Sequence, residues 1–222
     1  MLKPDSASTS RTAGRPAKLN QELILETAMT LLREGHGQDV SIRQLAQRLQ
    51  TVPGNLYTYF PNKEALLDAL AERALLSLDI ALDTSLAWHE QVAQWMESFH
   101  QALKARPELM FLMGLAGTSP STLRKIQRIA RLLQDAGLEA ADAVHHAQGL
   151  LWTVMSYTLF ELQASDPKVV KQLQQAGMHD ECPDVMQHLA VANLDPLWQA
   201  TLTRNIDGIR LQVSKTVRGV AL

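Results

Sequence analysis

The run Ser41-Ile42-Arg43-Gln44-Leu45-Ala46-Gln47-Arg48-Leu49-Gln50-Thr51-Val52-Pro53-Gly54-Asn55-Leu56-Tyr57-Thr58-Tyr59-Phe60 decides the fold of this chain. Ser41 followed three residues later by Gln44 is a capping-box pattern, and Ile42, Leu45, Ala46 and Leu49 recur at helical spacing to form one apolar stripe. The chain restarts at Val52-Pro53, where proline suits a first helical turn because its missing N–H has no partner there anyway. In this next helix Leu56 and Phe60 stand four residues apart and face a core, and Pro61 ends it. Gly54, Asn55 and Thr58 then point outward, with Tyr57 and Tyr59 at the flanks. Upstream, a helix from about Asn20 to Glu34 turns Leu23, Ile24, Ala28, Leu31 and Leu32 inward and stops at Gly35-His36-Gly37. Three short helices, the last two joined tightly, are the geometry that lays a recognition helix in a DNA major groove. The same periodicity also suits a plain three-helix packing unit.

The outward residue types fit the first reading. Glycine at 54 permits close backbone approach, Asn55 is able to pair bidentately with adenine, and Thr58 bonds a base or touches a thymine methyl. The hydroxyls of Tyr57 and Tyr59 reach phosphates, which sets register rather than sequence. Lys63 follows Asn62 at a helix N-terminus, where a cation and backbone N–H groups favour a phosphate, and Ser41 and Arg43 are candidates for the backbone of the opposite strand. Residues 1–18 are rich in Ser, Thr, Ala, Pro and basic side chains and read as a flexible arm. Its Gly14-Arg15-Pro16 with Lys18 suits either a narrow A·T-rich minor groove or a solvated tail.

The stretch Ser41–Ala46 followed by Pro53–Leu66, with its Leu-Tyr-x-x-Phe-x-x-Lys-x-x-Leu core, resembles the N-terminal signature of TetR/AcrR-family transcriptional regulators. The order Arg106-Pro107, Leu132-Leu133, Ala136-Gly137-Leu138 and Asp195-Pro196-Leu197-Trp198 is similar to the C-terminal domain of tetracycline-repressor-type members. The resemblance implies an all-α homodimer with two helix-turn-helix heads, a palindromic double-stranded DNA operator, and repression relieved by a small-molecule effector. By position it assigns DNA contact to Ser41, Arg43, Gly54, Asn55, Tyr57, Thr58, Tyr59 and Lys63. This chain departs from the family at the turn, with Gln50-Thr51 where a glycine is favoured first and Val52 where Ser or Thr caps the recognition helix. Tyr59 replaces a commoner histidine.

The rest of the sequence extends the all-α expectation. Strand-like alternation is scarce, and the sequence predicts an arm over 1–18, a helix-turn-helix domain over 19–66 and a larger helical ligand-binding and dimerisation domain over 67–222. Helices are expected from Lys63 to about Thr84, from Trp88 to Pro107, over Leu109–Leu115, from Ser119-Pro120, over Leu138–Gln163, from Asp166-Pro167 and from Asp195 onward, with a loop over Gly177–Asp184. Residues 1–64 carry eight Lys/Arg against six Asp/Glu, although the whole chain has a formal charge of -2. A basic head on an acidic body suits a head that meets phosphate.

Other function classes find little support. The seven histidines form no H-E-x-x-H, and there is no glycine-rich phosphate loop and no Gly-x-Ser-x-Gly, so neither an enzyme nor a cofactor or metal is expected. One cysteine, Cys182, and no secretory h-region point to a cytoplasmic protein without a membrane span. Trp88, Trp95, Met96, Phe99, Met110, Met113, Trp152 and Met155, with His100 as polar anchor, either line a hydrophobic effector cavity or fill a core. The long apolar helices Leu138–Gln163 and Asp195–Lys215 are the expected dimer surface.

Overall fold

The computed structural model describes residues 19–35, 40–115, 119–164, 166–184 and 194–219, and among them the chain is helical with no strand. Three helices form the head: α1 (Gln21–Glu34), α2 (Ile42–Arg48) and α3 (Pro53–Tyr57). Their starts follow local chemistry. Asn20 Oδ1 accepts the Leu23 N–H at 2.8 Å, and Ser41 Oγ takes that of Gln44 at 3.5 Å. Ile24, Ala28 and Leu32 of α1, Leu45 and Ala46 of α2, and Leu56 of α3 close a common core.

Helix α4 (Lys63–Leu76) starts at Asn62, whose Oδ1 accepts the Ala65 N–H at 2.7 Å, and it packs against α1 before running into the body. The sequence-based division between residues 66 and 67 therefore falls inside one continuous helix. The expected end near Thr84 is also corrected, since α4 stops at Leu76. No Gly or Pro marks the stop. Distant groups engage the helix end instead: Lys125 Nζ donates to the Leu75 carbonyl at 2.8 Å and Arg106 Nη1 to Ser77 Oγ at 2.8 Å.

The body comprises α5 (Trp88–Lys104), α6 (Glu108–Leu115), α7 (Pro120–Asp135), α8 (Ala140–Ala164), α9 (Pro167–Gln175), α10 (Met178–Glu181) and α11 (Asp195–Gly219). Helix α8 is central, packing on α5, α6, α7 and α11, while α4 lies against α6 and α7. Helix α7 ends at Asp135 and is closed by Gly137, whose φ of +108° lets Leu138 N–H reach back to the Leu133 carbonyl at 3.1 Å. The expected loop over Gly177–Asp184 contains the helical turn α10. Too short to show periodicity, that turn is invisible to a pattern search.

Candidate DNA-binding surface and its supports

Helix α3 presents one face and buries the other. Leu56 and Phe60 are 2% and 8% exposed, whereas Gly54, Asn55, Tyr57 and Thr58 are exposed, as is Arg43 of α2. A Cβ built on Gly54 meets nothing within 4 Å, so the backbone there is open to a partner. Asn55 Nδ2 donates to Thr51 Oγ1 at 2.9 Å and Thr58 Oγ1 to the Asn55 carbonyl at 2.7 Å, which holds both side chains close over the turn. Ser41 is half-buried at the start of α2, and Lys63 is half-buried at the start of α4.

The turn shows what the departures in sequence mean. Gln50 adopts φ +52°, the left-handed region that costs a side-chain-bearing residue about 1 kcal/mol. Val52 occupies the N-cap of α3 and supplies no side-chain hydrogen bond. The helix is held by Pro53, by burial of Leu56, and by the Tyr59 and Phe60 N–H groups bonding the Leu56 carbonyl.

Tyr59 is a correction. Its ring packs on the core and its hydroxyl donates to the Leu19 carbonyl at 2.7 Å, while Gln21 Nε2 donates to the Tyr59 carbonyl at 3.3 Å. The hydroxyl expected at a phosphate instead ties Leu19, just ahead of α1, to the end of α3. Arg15 and Lys18 lie outside the described residues.

Sequence reading missed the joint that sets where α4 sits. Glu72 of α4 caps α7: Oε2 accepts the Ser121 N–H at 3.0 Å, and Oε1 accepts Ser121 Oγ at 2.6 Å and Arg124 Nη2 at 2.7 Å. Burial works to raise the Glu72 carboxyl, but the bonds from Ser121 and Ser119 and the Arg124 charge outweigh it and hold it below 4.5. Burial lowers Lys125 at the other end of the same joint. Arg128 adds an ion pair to Asp79 at 3.1 Å. Ser119-Pro120-Ser121 signals a helix start, yet nothing local identifies the carboxylate 49 residues away that completes it.

In the body, eight of the nine expected ligand-lining residues join one core. Trp95, Met96, Phe99, His100 and Met113 are buried, and Trp88, Met110 and Met155 pack against them. Trp152 is the correction, because it is 57% exposed and faces away from that core. It follows the buried Leu150 and Leu151 on α8, whose inner stripe lies elsewhere. His100 meets a polar side chain at each ring nitrogen. Thr158 Oγ1 donates to the Val154 carbonyl at 2.7 Å, so it accepts from Nδ1 at 2.9 Å; Nε2 faces Glu161 at 3.1 Å, and the ring stacks on Trp198 at 4.2 Å. Surface clefts lie between α1 and α2 and beside α7, and none of the nine residues lines them.

Among the described residues no three His, Cys, Asp or Glu side chains are placed to hold a metal ion, and no helix is long and apolar enough to cross a membrane. Comparison with known proteins agrees with the geometry. A family model described as bacterial regulatory proteins, tetR family, matches residues 24–70, and one described as tetracyclin repressor-like, C-terminal domain, matches 83–213. The tetracycline repressor protein class A from transposon 1721 of Escherichia coli is 30% identical over 215 residues, covering 91% of this chain and 96% of the relative. A possible TetR family transcriptional regulator from Streptomyces coelicolor A3(2) superposes with a TM-score of 0.73 at 27% identity, over 86% of this chain and 99% of the other. A TetR variant from Acinetobacter baumannii AYE in complex with minocycline gives 0.65 at 26% identity, over 88% and 95%.

Proposed function

The chain belongs to the tetR family of bacterial regulatory proteins, which are DNA-binding transcriptional regulators rather than enzymes, and we propose that it is a homodimeric repressor of a palindromic operator, released by a small, largely hydrophobic effector. The observation that carries this reading is α3 itself, with Leu56 and Phe60 buried and Gly54, Asn55, Tyr57 and Thr58 exposed together at a helix-turn-helix. Ser41, Arg43 and Lys63 supply backbone contacts, and Arg15 and Lys18 a minor-groove contact.

The dimer reading rests on α8 and α11. Val144, Trp152, Leu159 and Phe160 of α8 and Leu211 of α11 are exposed apolar side chains. The two helices are bolted together by Gln212, which meets His146 at 2.7 Å and donates to Asp142 at 2.7 Å. A second copy related by a two-fold axis covers this face with four helices and spaces the heads by about 34–36 Å or slightly more, one duplex turn. An effector entering the body acts through α4, which packs on α1 of the head and on α6 and α7 of the body.

Gel-shift and footprinting experiments with the DNA upstream of the gene and its neighbours test this. The expected result is a protected palindrome at submicromolar protein and physiological salt. Absence of any protected palindrome there overturns the repressor reading.

A further inference from the structure

Helix α7 carries Arg124, Arg128 and Arg131 at spacings of four and three residues, which places the three guanidiniums on one face. That face walls a cleft of about 470 Å³, inside the size range of small-molecule sites. Leu82 and Leu132, packed on the core, supply its apolar part, and Thr84, Gln127 and the buried Gln91 add polar groups to the lining. Asp135, one helical turn beyond Arg131, also lines the cleft. Arg124 is taken by Glu72 at 2.7 Å and Arg128 by Asp79 at 3.1 Å. Arg131 also lines the cleft, is exposed, and makes no hydrogen bond or ion pair within the described residues. A line of cations beside apolar side chains, its last member unmatched, complements a molecule with an acid group and an apolar body.

We propose that this cleft is a binding site for an anionic, amphipathic small molecule, with its acid group on Arg131 and Arg128 and its apolar body over Leu82 and Leu132. The consequence for DNA rests on the effector-controlled reading above; the binding itself does not. An acid group on Arg128 competes with Asp79, and its field weakens the neighbouring hold of Arg124 on Glu72. Both carboxylates belong to α4 or to the segment just after it, and the other end of α4 adjoins α3. The anion therefore loosens the joint that positions the reading head. By linkage, operator DNA lowers the protein's affinity for the anion by the same factor.

Two fluorescent probes that differ only in charge test the site: anilinonaphthalene sulfonate and uncharged phenylnaphthylamine. Each is titrated into the full-length protein and into Arg131→Ala, an exposed substitution that leaves the core intact. The sulfonate is expected to bind wild type about tenfold more tightly than the variant, as loss of a charge-assisted contact requires. The uncharged probe is expected to bind both alike, which also removes any contribution from the apolar faces of α8 and α11. Equal sulfonate affinity in the two proteins, or an equal loss for both probes, overturns the assignment. Operator binding is measured separately. A protein that binds its operator while the sulfonate ignores Arg131 refutes the cleft and leaves the repressor reading standing. Arg131-dependent sulfonate binding without any operator refutes the repressor reading and leaves the site.

Discussion

Glu72 and Ser121, 49 residues apart, make a two-point contact in which one carboxylate caps a helix of the body from a helix that starts in the head. Because the folded carboxyl lies below its ordinary 4.5, its stabilising effect is complete above that value and is lost as the pH falls through the folded one. Glu72→Gln is expected to cost about 1 kcal/mol at pH 7, a figure discounted for partial exposure. The wild-type advantage should shrink as the pH drops below 4.5. Urea unfolding of both proteins across pH 3–7 checks this; a constant difference would show that the charge is not what matters.

At the reading head, Val52 leaves the N-cap of α3 without a side-chain acceptor. Val52→Ser restores that acceptor and removes an exposed apolar side chain. It is expected to stabilise the protein by about 0.5–2 kcal/mol, measured by chemical denaturation.

The Tyr59 hydroxyl bonds Leu19, so Tyr59→Phe should cost about 1 kcal/mol of stability. It should weaken operator binding only through the arm. The loss is therefore expected in the full chain and absent when residues 1–18 are removed. A loss of equal size in both backgrounds would mean that the hydroxyl touches DNA directly.

Trp152 stands exposed on α8 beside Leu159 and Phe160. Trp152→Glu puts a charge into the proposed dimer face, and a buried unpaired charge costs about 2–5 kcal/mol, a thirtyfold or greater rise in the dimer dissociation constant. Sedimentation velocity should show a dimer for wild type and a dissociating species for the variant. An unchanged dimer would place the interface elsewhere.

These expectations also mark what the sequence made legible. Ser41, Asn62 and Ser119 caps, the Leu56 and Phe60 spacing, the Pro107 stop and the Pro120 start are local signals, and each appears in the structure where the pattern placed it. The end of α4 is set by Lys125 and Arg106, partners 50 and 29 residues away, so periodicity carried the helix too far. Tyr59 looked like a flanking surface residue because its partner, the Leu19 carbonyl, carries no side-chain signature. Trp152 was placed with the inward aromatics because α8 is apolar on more than one side, and a pattern of residue types does not say which apolar side meets its own subunit. Glu72 is one of many surface-type carboxylates in sequence, and only its distance to Ser121 singles it out.

The central claim is that α3 reads bases. Fluorescence anisotropy of wild type and Asn55→Ala on the footprinted operator and on scrambled DNA of the same length, at physiological salt, tests it most directly. Loss of a bidentate base contact predicts operator binding weaker by about 1–3 kcal/mol, roughly fivefold to 150-fold, with scrambled-DNA binding unchanged. Equal operator affinity for the two proteins, or an equal loss on both DNAs, would contradict the assignment of α3 as the reading helix.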